Sequence, residues 1–246
     1  MNLGVRAQES RKSFRAEFTR VTFPHQAYMT TNNDNMLPFA AAPALDDAKI
    51  EFDQHSDRRL LDWVEIVTSG WPEAAREFGS TLADNPGRIS RAYRSLLSGY
   101  SLKPHDVLKI TIETPHDGHH GLVSSDKIPF LSFCAHHFLP FFGMVDIVYE
   151  PGDYIIGIGK MPRLVNCRAK RFQLQELLVK QLAQDMMEHA RAKGVYVPAA
   201  AHHMCVCYRG PDFASVKNVT TYSLGSLEHP ERETEIMTAI EASAGE

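Results

Sequence analysis

The sequence concentrates its reactive side chains in two short segments, and the first reads Ser-Phe-Cys-Ala-His-His over residues 132–137. Two residues separate Cys134 from His137, a spacing that lets a tight turn bring a thiolate and an imidazole onto one metal ion. The flanking residues 128–133 and 138–142 are mostly apolar, so we expect them to bury the turn and to exclude water. A lone Cys-x2-His motif more often reflects core packing than a metal site, so support is needed from a second segment.

That second segment reads His-Met-Cys-Val-Cys-Tyr-Arg over residues 203–209. We predict that it ends the last strand, which runs from about Ala199 to Arg209. Side chains alternate across a strand with a period of two. The residues that would then share one face are His203, Cys205, Cys207 and Arg209. An imidazole, two thiols and a guanidinium on one face are costly in a plain core, but they suit the surroundings of a metal and an anion.

The two segments together predict a zinc site of the catalytic kind. Cys205 would join Cys134 and His137 as the third ligand, leaving the fourth zinc position open for water. His136 and His203 would remain free as acid and base near that water. The alternative is a structural site of three cysteines and one histidine, completed by Cys207 or Cys167.

A third segment has the composition of a phosphate site. Gly157 and Gly159 allow close approach of backbone to a ligand, and Lys160 and Arg163 add charge. The spacing of a P-loop is absent. A solvated helix start is the competing interpretation for the basic cluster Lys160, Arg163, Arg168, Lys170 and Arg171.

Helical spacing of apolar residues predicts two helices before these segments. One contains Leu60, Leu61, Val64 and Val67 and begins near Ser56. The other follows Asn85-Pro86, which resembles an N-cap and a first-turn proline, and ends near Gly99.

The second half of the chain predicts strands around one long helix. Residues 107–158 are strand-like, and a turn at Pro151–Asp153 leads into a returning strand over 154–158. Leu174, Leu178, Leu182 and Met186 then recur every four residues in a helix that we expect to end near Gly194. Strands, a long helix and a further strand predict an α+β fold with an antiparallel sheet.

Composition limits the class of protein. With 43% apolar and 23% charged residues the chain is ordinary for a soluble domain. No apolar stretch reaches the roughly 20 residues that span a bilayer, and no apolar h-region follows Met1, so we do not expect a secretory signal. The net charge of −4 argues against nucleic-acid binding. Four cysteines are too few and too clustered for a disulfide framework, which predicts a reducing compartment, the cytoplasm.

The start of the chain differs from the rest. Polar residues Thr30–Asn35 and the Ala/Pro-rich residues 38–43 cannot bury much surface. We therefore expect a flexible extension over residues 1–55 and a folded domain over residues 56–246.

The motifs together resemble those of GTP cyclohydrolase I. The resemblance covers about residues 57–228 in the family's order. It is carried by 85–88, 98–100, 128–130, 134–137, 140–143, 156–160, 163–165, 171–176, 203–205 and 209–210.

The resemblance implies a T-fold subunit, with an antiparallel sheet and packed helices, that assembles into a toroidal homodecamer with active sites between subunits. It implies conversion of GTP and water to 7,8-dihydroneopterin triphosphate and formate, in pterin and tetrahydrofolate biosynthesis. By position, zinc would be held by Cys134, His137 and Cys205, and protons would be transferred by His136 and His203. Guanine would be recognised by Gln175 and Glu176, and the triphosphate by Lys160, Arg163 and Arg209. Arg88 would reach a neighbouring subunit's site.

Three features of the sequence depart from the family pattern. Ala135 replaces the usual Glu, Gly159 replaces the usual Ser, and an acidic residue is missing at Ala200 and His202. Two alternatives therefore stay open. One is a paralogous zinc hydrolase that acts on a different purine nucleotide or stops at a formamide intermediate. The other is a non-catalytic zinc-bearing oligomer, which would have no need of the two free histidines.

Overall fold

The computed structural model describes residues 54–85, 87–109, 111–113, 121–211 and 213–241. All but the last two residues of the predicted extension lie outside these ranges, so its flexibility stays a prediction. None of the helices within these ranges is long and apolar enough to cross a membrane.

Among the described residues, four helices precede the larger sheet. They are α1 (Gln54–Val67), α2 (Pro72–Asp84), α3 (Arg88–Leu96) and α4 (Pro104–Leu108), with a 3-10 helix at Ser98–Ser101. The helix predicted over Leu60–Val67 is confirmed. The predicted N-cap at Asn85 is wrong, because Asn85 instead ends α2 with its N–H bonded to the Leu82 carbonyl. The residue before α3 is Gly87, whose φ of 72° is in the left-handed region that glycine adopts easily.

The strands of the described residues form two sheets, and the larger one is mixed. The strands are β1 (Thr111–Glu113), β2 (Val123–Cys134), β3 (Pro140–Glu150), β4 (Tyr154–Ile156), β5 (Phe172–Gln173), β6 (Gly194–His203) and β7 (Asn218–Gly225). The larger sheet has the order β5-β2-β3-β6-β7. The prediction of a purely antiparallel sheet is corrected at its edge, where β5 pairs with β2 in parallel. The returning strand after residue 153 is also corrected, because β4 pairs with β1 and not with β3.

Two helices cover one face of the larger sheet, α5 (Lys160–Ala169) and α6 (Gln175–His189). The predicted period of four along α6 is confirmed by the complete burial of Leu178, Leu182 and Met186. The helix ends at His189 and not at Gly194, which begins β6. Gly194 has a different role, because a Cβ there would collide with Ser226. The opposite face is covered near Val148 by Leu227 and Ile236, the latter from the last helix, α8 (Glu233–Glu241).

The strand β6 ends earlier than the sequence predicts. The chain turns after His203 into a short helix, α7 (Met204–Cys207), so the predicted strand to Arg209 is wrong. The reason is the length of the neighbours: β3 begins at Pro140, with Phe141 opposite His203, and β7 begins opposite Ala201. Residues beyond His203 therefore have no strand on either side to pair with.

A polar cluster ties the C-terminal segment to the end of β3. The Ser226 hydroxyl donates to the Glu150 carboxylate over 2.6 Å, and the Arg232 guanidinium donates to it over 2.9 Å. The Ser226 hydrogen bond, followed by Arg232, lowers the pKa of Glu150 from its ordinary value. The ionised form of Glu150 is therefore the one that stabilises the folded chain.

We expect Glu150→Gln to lower stability at pH 7 by roughly 0.5–1 kcal/mol, since it weakens a partly exposed ion pair and its hydrogen bonds. A depressed folded-state pKa stabilises above the unfolded pKa, and this contribution is lost as the pH falls through the folded pKa. Thermal midpoints of wild type and variant should therefore converge in acid. Glu231→Gln, an exposed change on the same segment, should show no such convergence. A difference between Glu150→Gln and wild type that stays constant with pH would contradict the assignment.

Candidate metal centre and active site

The Cys-x2-His motif forms the turn between β2 and β3. The Cys134 carbonyl accepts the N–H groups of His137 and Phe138, and the Cys134 N–H donates to the Leu139 carbonyl over 2.8 Å. Phe138 has a φ of 60°, which closes the turn in the left-handed region. The result places the Cys134 sulfur 3.7 Å from His137 Nδ1. A tetrahedral zinc ion holds a thiolate sulfur and an imidazole nitrogen about 3.6 Å apart.

Cys205 completes a three-residue cluster. Ligand atoms of Cys134, His137 and Cys205 all lie within 4.8 Å of one another, and no other such group of three occurs among the described residues. Burial raises the pKa of the Cys205 thiol, and the nearby Cys134 sulfur raises it further, because two thiolates repel each other. A cation between them would remove that repulsion. Two sulfurs and one imidazole are the donors that zinc prefers, so these residues fit the metal.

The other two cysteines lie outside the cluster. The buried Cys207 thiol donates to the Val216 carbonyl over 3.8 Å. The buried Cys167 thiol donates to the Leu102 carbonyl over 3.5 Å. Neither supplies the fourth ligand that a structural Cys3His site requires.

His203, at the end of β6, is held by a buried glutamine. Its Nε2 lies 2.8 Å from Oε1 of Gln175, whose side chain is only 2% exposed. The Gln175 amide nitrogen donates to the carbonyls of Ala199 and Asn218, each over 3.0 Å. Both amide hydrogens are thus used, so the Gln175 oxygen can only accept. The proton of neutral His203 must therefore be on Nε2, which leaves Nδ1 as the free nitrogen.

The imidazole of His203 is also fixed from its face. It stacks on Phe141 with ring centroids 4.4 Å apart and planes 7° apart. Burial lowers the pKa of His203, and the charge of Glu176 acts in the opposite direction. Glu176 is exposed in the first turn of α6, where the N–H groups of Gln175 and Glu176 have no acceptor within the helix.

This arrangement bears on the guanine-recognition role that the resemblance implies for Gln175. Its side chain has no donor left for a ligand in this structure. Of the groups on Gln175 and Glu176, the backbone N–H of Gln175 and the carboxylate of Glu176 are the ones that could bind a guanine. Phe141 is a contact of His203 that the sequence pattern did not predict, and only its register opposite His203 would have revealed it.

His136 lies on the exposed metal turn, with its ring 6.1 Å from that of His137. An aromatic group surrounds the turn: Phe138 stacks on Tyr93 of α3 at 5.2 Å and contacts Phe172 of β5 at 5.3 Å. Ala135 is exposed, and its N–H donates to the Gln173 carbonyl.

The basic residues predicted to bind the substrate lie on three different segments of the chain. Lys160 and Arg163, in the first turn of α5, line a cavity of about 270 Å³ that no metal-cluster residue lines. Arg209 is exposed after α7, close enough that its charge lowers the pKa of Cys205. Arg88 is exposed at the start of α3.

Arg168 and Arg171, two residues of the basic cluster at α5, are bonded to other parts of the protein. The interpretation of this cluster as a solvated helix start is therefore corrected for these two residues. Arg168 forms a two-bond ion pair with buried Asp185, each bond 2.6 Å long. Arg171 donates to the carbonyls of Cys167, Gly99 and Leu102. Lys160 and Arg163 have no such protein partner among the described residues.

The comparisons with known proteins agree with these motifs. A sequence profile of the GTP cyclohydrolase I family matches residues 74–241. The chain belongs to the GTP cyclohydrolase I family. It is 37% identical over 172 residues to GTP cyclohydrolase 1 of Nitrosospira multiformis, covering 70% of this chain and 88% of that one. It is 39% identical over 163 residues to GTP cyclohydrolase 1 of Campylobacter lari, covering 66% and 85% respectively.

Family membership confirms the resemblance and makes the chain a hydrolase of the GTP cyclohydrolase I type. Its mixed sheet with helices on one face is consistent with the T-fold of that family.

One prediction at this site concerns the metal. We expect about one zinc ion per purified chain, and Cys205→Ala should remove most of it because a thiolate ligand is lost. Cys207→Ala is the matched control and should retain zinc, since its thiol lies outside the cluster. Both are measured by elemental mass spectrometry of the protein. Full zinc occupancy in Cys205→Ala would contradict the ligand assignment.

A second prediction concerns Gln175. Gln175→Met should lower kcat about ten- to a hundredfold with KM little changed, since His203 would lose its fixed tautomer and with it part of a proton-transfer contribution of about 10²–10⁴. Zinc content should not change. Gln181→Met is the control, because Gln181 lies on the same helix and bonds to Gln173 instead. Equal steady-state kinetics for the two variants would show that Gln175 does not position His203.

Proposed function

We propose that the protein converts GTP and water to 7,8-dihydroneopterin triphosphate and formate in a zinc-dependent reaction. The observation that carries the proposal is the cluster of Cys134, His137 and Cys205, whose three ligand atoms converge beside a histidine held in one tautomer. Family membership supports the same reaction class. When bound by these three residues, zinc acts as a Lewis acid and makes water nucleophilic near neutral pH.

The histidines carry the proton transfers. The Nε2 proton of His203 stays in its hydrogen bond to Gln175, and His203 exchanges a proton with the substrate through Nδ1. Stacking on Phe141 keeps the ring from rotating away from this orientation. His136, on the exposed turn beside His137, is the second proton-transfer residue that we propose. Opening of the purine's imidazole ring, release of formate and closure of the pterin ring all require protons to be moved, and two histidines supply this capacity.

Substrate binding divides between the base and the phosphates. We assign the guanine edge to the Glu176 carboxylate and to the free N–H groups at the start of α6. The triphosphate is assigned to Lys160, Arg163 and Arg209, whose cationic donors suit phosphate oxygens.

A complete site then combines more than one chain. Lys160 and Arg163 line a cavity that the metal cluster does not line, and Arg88 lies on yet another element. The exposed aromatic group around the metal turn would also be covered by a second copy. We therefore propose a closed homo-oligomer, a decamer by analogy with the family, acting in cytoplasmic pterin and tetrahydrofolate biosynthesis.

A second candidate is a paralogous hydrolase with another purine nucleotide or with a formamide product. It is favoured by Gly159, the N-cap of α5 beside Lys160. Its φ of −66° is ordinary, and a Cβ there would meet nothing within 4 Å. The backbone thus does not require glycine at a position where the family usually has a serine hydroxyl.

Mass spectrometry of products from zinc-loaded protein and GTP tests the proposal. We expect dihydroneopterin triphosphate and formate, whereas accumulation of a formamide, or turnover of another purine nucleotide alone, would establish the second candidate.

Arg209→Ala should weaken GTP binding about ten- to a hundredfold, as expected for a charge-assisted donor worth roughly 1.5–3 kcal/mol. His203→Ala should still bind GTP but open its ring about 10²–10⁴ times more slowly.

Both variants should retain zinc. Zinc-loaded, assembled protein that binds no purine nucleotide at all would defeat both enzymatic candidates and leave the non-catalytic oligomer.

A further inference from the structure

The cavity beside α5 has a charge that the described residues of its own chain do not balance. Its two walls are the start of α5 and the segment 101–107. Three cationic side chains line it, Lys103, Lys160 and Arg163, with a single carboxylate, Asp106. Within the described part of the chain, none of these four side chains forms an ion pair of 4.0 Å or less.

The wall that carries Lys103 is held in place from behind. The Arg171 guanidinium donates to the Gly99 carbonyl over 2.8 Å and to the Leu102 carbonyl over 3.1 Å. The Lys103 carbonyl in turn accepts the Val107 N–H at the start of α4. The backbone of Lys103 is thus fixed relative to α5, while its side chain is exposed and unpaired. Binding of an anion would therefore have to order the side chain of Lys103 but not its backbone.

The chemistry of the lining selects an anion with several charges. Three cations around one small cavity repel each other, and one carboxylate cannot neutralise them. A volume of about 270 Å³ is below the range of about 300–1,000 Å³ usual for whole-ligand pockets, so it suits a phosphate chain better than a complete nucleotide.

We propose that Lys103 is a further phosphate-binding residue, which contacts the triphosphate from the wall opposite Lys160 and Arg163. The inference rests on the proposed function, because it takes those two residues as triphosphate ligands. Asp106 weakens the attraction of the cavity for anions and so limits its affinity for the phosphate chain. Lysine acts here as a point charge, so Lys103→Arg preserves the interaction.

The test uses zinc-loaded, assembled protein and three probes: GTP through its KM, and tripolyphosphate and guanosine through titration calorimetry. Lys103→Met should weaken the binding of GTP and of tripolyphosphate about three- to tenfold. This is the range between the contribution of an exposed ion pair and that of a charge-assisted hydrogen bond. Guanosine binding should not change. Lys103→Arg should restore the wild-type values, and Asp106→Asn should tighten tripolyphosphate binding. The control is Lys109→Met, an exposed lysine just beyond α4 that does not line the cavity.

Two results would overturn the inference. One is that Lys103→Met binds GTP and tripolyphosphate as Lys109→Met does, and the other is that Lys103→Met weakens guanosine binding as much as tripolyphosphate binding. Lys160→Met separates this failure from failure of the proposed function. If Lys160→Met weakens GTP and Lys103→Met does not, only the role of Lys103 is wrong. If wild-type protein binds neither GTP nor tripolyphosphate, the proposed function fails and this inference fails with it.

Discussion

The pairing of β3 with both β2 and β6 is the constraint on which the site depends. Pro140 at the start of β3 is opposite Phe133, and the next residue, Phe141, is opposite His203. One end of a single strand therefore brings together two cysteine–histidine segments that are far apart in the sequence. A shift of one residue in the β3–β6 register would turn the paired side chains to opposite faces and separate Phe141 from His203, and a shift in the β2–β3 register would displace the Cys134 turn relative to both.

The same strand end explains which parts of the site could be predicted. The turn at Cys134 and His137 is local, and its two-residue spacing sufficed to predict their approach. Cys205 was predicted correctly as a neighbour of that turn but from a wrong premise, an extended strand through residue 209. The length of a strand depends on the strands that pair with it, and residues 203–209 alone do not reveal where β3 and β7 begin. The helical turn there instead brings Cys205 towards Cys134 and leaves Cys207 against Val216.

Contacts made at long range account for the remaining differences. The long helix α6 follows from its apolar period, but the buried Gln175 at its start does not, because its three partners come from β6 and from the residue that opens β7. Arg171 likewise gives no sign in the sequence that it binds carbonyls near residue 100. Composition alone cannot separate a basic residue that supports the fold from one that awaits a ligand, since both are charged and lie in the same segment.

The two kinds of charged residue are distinguished by whether the charge is paired with another side chain of the protein. Arg168 with Asp185, and Arg232 with Glu150, have their charges neutralised by side chains of the protein and hold elements together. The metal cluster and the cavity beside α5 are the opposite case: two sulfurs that repel as thiolates lie close together in one, and three cations surround a single carboxylate in the other. Folding brings like charges together only where other interactions outweigh the repulsion, and a bound ion of opposite charge lowers that cost. The two imbalances are of opposite sign, which matches a ligand set of one metal cation and one polyphosphate. Among the described residues these are two places where like charges are left uncompensated, and the proposed function would have the metal bind at one and the phosphate chain at the other.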